Sequence, residues 1–284
     1  MAKTITLSSG ESLPALGVGT WNMGDSQARR ASEIESLRHA ITQGAKVVDT
    51  AEMYGNGRSE TLVGEAIQPF RDQVFLVSKV LPSNASARGV AQSCRQSLRR
   101  LGTDQLDLYL LHWRGSVPLA ETVEAFRTLQ REGLIRYWGV SNFDTRDMRE
   151  LDACMQAGEC AANQILYSLE HRGVEYDLLG ADMSRRSVTM AYSPIGQGGA
   201  LLGHPALARV AARHVTSTGP ATPAQIALAW VLRQPNMLAI PKAGSPDHMR
   251  QNLAAPEITL SAQDLTELDS AFPPPRTRQP LEMI

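Results

Sequence analysis

The sequence predicts an α/β fold, a (β/α)8 barrel whose bottom is closed by an N-terminal β-hairpin. Three observations lead there. Eight short apolar runs alternate with stretches of helical period. The chain has 284 residues, 43% of them hydrophobic, close to the ~250 residues of one barrel. The rival doubly wound sheet would place a glycine fingerprint after its first strand, and Gly17-Val18-Gly19-Thr20-Trp21-Asn22 lacks its third glycine. Residues 1–284 are therefore read as a single domain.

The elements follow in order. Ile5 and Leu7, then Leu13 and Leu16, flank the polar turn Ser8-Ser9-Gly10-Glu11 and predict the hairpin. Strands are expected at 16–19, 46–49, 74–80, 106–112, 137–141, 162–166, 188–192 and 238–242. Between them Ile34, Leu37, Ala40 and Ile41 share one helical face. So do Val90, Cys94, Leu98 and Leu101, and so do Leu119, Val123, Phe126 and Leu129. Pro118 and the Thr222-Pro223 pair mark helix starts, while Gly44 and Gly133 mark helix ends. After Pro273-Pro274-Pro275 a short, irregular tail, 276–284, is expected.

Composition narrows the partners. A formal net charge of -1 and a pI near 6.6 supply no basic surface for nucleic acid and no attraction to an anionic membrane. Cys94, Cys154 and Cys160 have neither the number nor the spacing of a disulfide framework or thiolate metal site. The first residues enter strand alternation without an apolar signal core, and no run approaches the ~18 residues of a membrane helix. A cytoplasmic protein acting on a small molecule is expected, with a monomer as the simplest state.

In a barrel every strand points the same way, so residues at the C-terminal strand ends meet on one face. Asp49, Lys79, His112, Asn142, Gln164, Tyr192 and Lys242 all fall at or just past such ends, and Tyr54 follows Asp49 on a glycine-flanked loop. Any one of them alone reads as well as a cap, a snorkelling lysine or a core histidine. Together they suit proton transfer. A phenol with a pKa of ~10 needs a neighbouring cation to become an efficient acid. Lys79 is the candidate cation, Asp49 the group that keeps it charged, and His112 a donor to a substrate carbonyl. A barrel hydrolase would want paired carboxylates, and the only close acidic pair is Asp49 with Glu52. His112 has no second histidine nearby in the sequence pattern, so no metal is expected.

These residues resemble the aldo-keto reductase family along the whole chain. The resemblance is carried by Gly19-Thr20-Trp21, Val48-Asp49-Thr50-Ala51-Glu52-Met53-Tyr54-Gly55, Val77-Ser78-Lys79, Leu110-Leu111-His112-Trp113, Gly139-Val140-Ser141-Asn142-Phe143, Asn163-Gln164, Tyr192-Ser193-Pro194 and Ile240-Pro241-Lys242, in the family's order. It implies a catalytic tetrad of Asp49, Tyr54, Lys79 and His112, with Tyr54 the general acid. It further implies a nicotinamide cofactor held without a Rossmann domain. Gly19, Thr20, Trp21 and Asp49 would border it; Ser141, Asn142 and Gln164 would take the carboxamide, and Tyr192 would stack on the ring. Ser193, Pro194, Ile195, Gln197, Gly198 and Gly199 would follow the pyrophosphate. The adenosine end would meet Ile240, Pro241, Lys242, Ala243, His248, Gln251 and Asn252. Family members that prefer NADPH commonly follow the lysine with serine and, six residues on, arginine. Here those positions hold Ala243 and His248. Arg250 stands one helical step further, so NADPH is expected with some use of NADH.

Trp21, Met23, Tyr54, His112 and Trp113 are expected to line the substrate mouth. The short segment after Trp113 and the short tail imply no long loops for bulky ligands. Arg172-Gly173-Val174-Glu175-Tyr176-Asp177-Leu178-Leu179 and Ile240-Pro241-Lys242-Ala243 are similar to bacterial methylglyoxal reductases within the family. A 2-oxoaldehyde or α-diketone is the implied substrate, with a sugar or keto acid as the alternative. A nicotinamide-binding subunit without catalysis is the alternative function.

Overall fold

The computed structural model describes residues 3–284. A hairpin of β1 (Thr4–Thr6) and β2 (Ser12–Pro14) comes first, followed by β3 (Val18–Gly19) and α1 (Arg30–Thr42). The chain then alternates through β4 (Val47–Asp49), α2 (Arg58–Ile67), β5 (Phe75–Val80), α3 (Ala87–Leu101), β6 (Leu106–Leu111) and α4 (Leu119–Arg131). Next are β7 (Ile135–Ser141), α5 (Thr145–Asp152), β8 (Cys160–Leu166), α6 (Leu178–Ser184), β9 (Val188–Tyr192) and α7 (Pro205–Ala211). A small hairpin of β10 (Val215–Thr216) and β11 (Gly219–Pro220) precedes α8 (Pro223–Val231), β12 (Met237–Ala239), α9 (Pro246–Ala254) and α10 (Ala262–Ala271).

Eight of these strands pair in parallel in the order β12-β9-β8-β7-β6-β5-β4-β3. The ring closes where Leu16 bridges Ala239 and the Gly19 amide donates to the Pro241 carbonyl at 3.0 Å. Close approach at this seam requires glycine at 19, because a Cβ there would lie 2.7 Å from the Ile240 carbonyl oxygen. The expected barrel is present, its strands within a few residues of the predicted runs.

All residues of β4, β5, β6, β8 and β12 are buried, which is why these runs are nearly continuous in apolar character instead of alternating. The three predicted helical faces are buried on the outside of the sheet. Ile5, Leu7 and Leu13 carry the N-terminal hairpin under the barrel. Thr6 and Ser8 tie it to Asn236 and Gly158, just ahead of β12 and β8, and so to the N-terminal end of the sheet. With the bottom sealed, the opposite mouth is left for ligand.

The β10–β11 hairpin was not expected. Its strands are two residues each, too short for a period to register.

Candidate active site

Side chains alternate along a strand, so in β5 Lys79 points into the barrel while Ser78 points out to Glu60, at 2.6 Å. Asp49 ends β4 beside it, and His112 directly follows β6. Tyr54 comes from a single 3-10 turn, Tyr54–Gly57, in which Gly55 and Asn56 adopt positive φ. That turn returns the phenol over the strand ends.

The four predicted tetrad residues meet. Lys79 Nζ donates to Asp49 Oδ2 at 2.7 Å, to the Thr50 carbonyl at 2.8 Å and to Tyr54 Oη at 3.1 Å. Its three protons are thus all used. An ammonium has no lone pair, so Tyr54 must accept from it, and the phenolic proton is left to point elsewhere. The Tyr54 and His112 rings lie edge to face, 5.9 Å apart, on the wall of a cavity of about 870 Å³. That volume lies within the range of small-ligand and cofactor sites.

Burial sets the charges. Asp49 and Lys79 are only 2% and 0% exposed. Burial pushes the Asp49 carboxyl up, against the pull of Lys79 and Gln164. Burial pulls Lys79 down, but Asp49 and Tyr54 outweigh it and the ammonium holds its proton. Burial also pushes the Tyr54 phenol up, and the opposing Lys79 charge only partly offsets this. The expectation of a net-lowered phenol is therefore corrected: without ligand, desolvation wins over the cation. His112 is lowered to about 3 by burial and by the Lys79 charge, so its imidazole is neutral. Its Nδ1 is buried without a hydrogen-bond partner among the described residues. A bare acceptor costs less there than a bare N–H, which favours the proton on Nε2.

A second layer surrounds this cluster. Gln164 Nε2 donates to Asp49 Oδ1 at 2.8 Å. The Gln164 carbonyl accepts from Ser141 Oγ at 2.9 Å and from the Asn142 amide at 2.8 Å. Asn142 Nδ2 donates to the His112 carbonyl at 3.1 Å, and Tyr192 Oη donates to Asn142 Oδ1 at 2.9 Å. Burial lifts the Tyr192 hydroxyl to about 12, so it remains a donor.

Most other predicted site residues lie on the same cavity: Gly19, Thr20, Trp21, Trp113, Ser141, Asn142, Gln164, the 192–195 run, Gln197, Gly198, the 240–243 run, His248, Gln251 and Asn252. Three expectations fail. Met23 is fully buried in the core and does not reach the mouth; Met53, 40% exposed on the loop before Tyr54, lines it instead. Gly199 lies past the cavity edge, where its amide turns back to the Gly196 carbonyl. The tail is irregular as expected, and its last residues, Met283 and Ile284, line the cavity. Arg278, bonded to Thr145 at 2.7 Å, and Glu282, 3.1 Å from His171, carry the tail there. Arg250, considered as a second cation for phosphate, is paired with Asp247 at 3.2 Å and does not line the cavity.

The 222–224 segment, not anticipated from the sequence, also lines the cavity. Thr222 had a signal, since it precedes Pro223 as a helix cap, and a helix N-terminus is a ready anion site. Leu202 and the tail had none. Non-glycine positive φ at Asn142, Ser193 and Gln197 clusters on this cavity, strain of a kind often concentrated at ligand sites. Among the described residues no group of three His, Cys, Asp or Glu side chains is arranged to hold a metal ion. No helix among them is long and apolar enough to cross a membrane.

A sealed barrel with this cluster at its mouth belongs to the class of barrel oxidoreductases that reduce carbonyls with a nicotinamide cofactor. A model of the Aldo/keto reductase family matches residues 15–272, and the chain belongs to that family. It is 46% identical to Methylglyoxal reductase YeaE of Escherichia coli (strain K12), over 99% of both chains. Methylglyoxal reductase DkgB of Yersinia pestis is 32% identical, over 89% of this chain and 91% of that one. The crystal structure of an aldo/keto reductase from Klebsiella pneumoniae in complex with NADP and acetate superimposes with a TM-score of 0.94 at 47% identity, over 100% of both chains.

Proposed function

We propose that this protein reduces small neutral aldehydes and ketones, 2-oxoaldehydes and α-diketones first among them, to alcohols with NADPH, and that Tyr54 is the proton donor. The observation that carries this reading is the Lys79 ammonium between Asp49 and Tyr54, which commits the phenol oxygen as an acceptor and frees its proton for the cavity. The similarity to two methylglyoxal reductases supports the substrate class.

The residues present fit the cofactor. Gln164 Oε1 makes no hydrogen bond to protein among the described residues and offers an acceptor to a carboxamide, while Ser141 and Asn142 offer polar groups beside it. The Gly196 and Gly198 turn, with positive φ, and the N-terminus of α8 suit a pyrophosphate. Lys242 and His248 supply cationic or polar character at the adenosine end. When bound there, NADPH supplies the hydride. Trp21, Met53, Trp113, Met283 and Ile284 form an apolar collar that would exclude water and seat a short carbon skeleton. His112, neutral and protonated on Nε2, would donate to the carbonyl oxygen and polarise it. Tyr54 would then protonate that oxygen as it becomes an alkoxide. An alkoxide is far more basic than a phenol, so transfer runs downhill even though burial raises the phenol. Lys79 stabilises the phenolate that remains, and Asp49 holds Lys79 in place.

The three free cysteines, Cys94, Cys154 and Cys160, suit a reducing compartment, and the cytoplasm is the proposed location. The test is NADPH oxidation, with NADH in parallel, over a panel of methylglyoxal, diketones, keto acids and sugars. The neutral dicarbonyls should give the highest kcat/KM. Faster turnover of sugars or keto acids would overturn the substrate assignment, and no turnover of any would overturn the enzyme.

A further inference from the structure

The hydrogen bond from Gln164 to Asp49 spans the barrel. β4 and β8 are separated by three strands on one side and three on the other, so the two residues face each other across its full width. A carboxylate only accepts, and this fixes the amide: Nε2 must face Asp49, leaving Oε1 without a protein partner among the described residues on the cavity side. Asp49 is thereby held at both oxygens, by Gln164 on Oδ1 at 2.8 Å and by Lys79 on Oδ2 at 2.7 Å. The Gln164 backbone carbonyl also anchors Ser141 and Asn142, and Asn142 reaches the His112 carbonyl. A continuous belt results, from His112 through Asn142, Gln164, Asp49 and Lys79 to Tyr54.

Resting on the tetrad and carboxamide roles proposed above, we propose that Gln164 is a positioning residue for the chemical step: its side-chain N–H holds Asp49 ionised and aimed at Lys79, while its carbonyl oxygen meets the cofactor amide. One amide thus ties cofactor placement to the proton donor. A residue serving only the cofactor would need no donor toward Asp49. One serving only Asp49 would not leave its acceptor on the cavity.

Gln164→Glu separates these roles. The variant side chain keeps an acceptor for the cofactor at every pH, but donates to Asp49 only when protonated. Above its pKa it sets a second carboxylate against Asp49, with Lys79 on the far side of that residue and Tyr54, His112, Tyr192, Lys242 and His248 as other titratable side chains lining the cavity. The readouts are NADPH affinity by fluorescence, the single-turnover reduction rate at saturating NADPH, and thermal unfolding of the cofactor-free protein, each from pH 5.5 to 8.5. Expected is a reduction rate that falls ~10-fold or more from the acid to the alkaline end relative to the parent, as a proton shared by two carboxylates is lost. The unfolding temperature should fall in parallel. Gln164→Leu should be slow at every pH. A Gln164→Glu variant that binds NADPH well and reduces substrate with the parent's pH profile would overturn the proposal. Asp49→Asn distinguishes the two layers: if it leaves reduction unaffected, the tetrad reading fails, whereas if it is slow while Gln164→Glu follows the parent, only the role of Gln164 fails.

Discussion

Replacing Lys79 by methionine removes three hydrogen bonds and leaves Asp49, 2% exposed, with Gln164 as its one remaining side-chain donor among the described residues. The two side chains have similar volume, so packing changes little, by roughly 1 kcal/mol. The orphaned charge dominates: breaking a buried ion pair from one side costs about 3–5 kcal/mol. Its pH dependence has a definite sign. Asp49 already has a raised pKa in the fold, and without Lys79 it rises further above its unfolded value of ~3.9. Stability from such a group is fully present below the unfolded pKa and is lost as pH rises through the folded one. The deficit of Lys79→Met relative to the parent should therefore be larger at pH 8 than at pH 5, by about 1 kcal/mol or more, in urea unfolding. Adding Asp49→Asn should recover most of that stability and none of the activity. Lys79→Met protein as stable as the parent at pH 8, or equally weakened at both pH values, would refute the reasoning.

Three further outcomes follow from other side chains. His112 is lowered to about 3 from an unfolded value of ~6.5, so its contribution is complete above the unfolded pKa and is lost as pH falls toward the folded one. Between pH 7 and pH 5 the parent should lose about 2 kcal/mol more than His112→Gln, read by urea unfolding. Asp182, buried in α6, is raised to about 7 by desolvation, against hydrogen bonds from Asn163 and Thr189; stability from it is present below ~3.8 and lost as pH rises through 7. Asp182→Asn should therefore be the more stable protein at pH 8, by up to ~4 kcal/mol, and not at pH 4. Met23→Ala should cost about 2–5 kcal/mol and leave KM for methylglyoxal unchanged, whereas Met53→Ala should raise KM and leave the urea midpoint in place.

The barrel was legible because a parallel strand covered on both faces reads as a continuous apolar run, and eight of them leave eight marks. The tetrad was legible for the same reason: a lysine or histidine closing such a run, as Lys79 and His112 do, stands out against apolar neighbours. Met23 misled because a methionine beside Trp21 looks like part of the mouth, and only the turn geometry after Thr20 sends it inward, its amide bonded to the Thr20 carbonyl. Met283 and Ile284 could not be placed from sequence, since their route depends on Arg278 and Glu282 meeting residues more than a hundred positions away. The net pKa of Tyr54 was out of reach for another reason. Lys79 beside the phenol could be guessed from spacing, but the depth at which both sit decides which effect wins, and depth is a property of the closed barrel.

The central claim, that Tyr54 gives the proton to a carbonyl reduced in this cavity, is tested most directly by stopped-flow single turnover of Tyr54→Phe with NADPH and methylglyoxal. Phenylalanine keeps the ring against His112 and deletes only the oxygen on Lys79. NADPH binding should stay within ~3-fold of the parent while reduction slows by ~10²–10⁴, the usual contribution of a positioned acid. Reduction within a few-fold of the parent, with binding intact, would contradict the account.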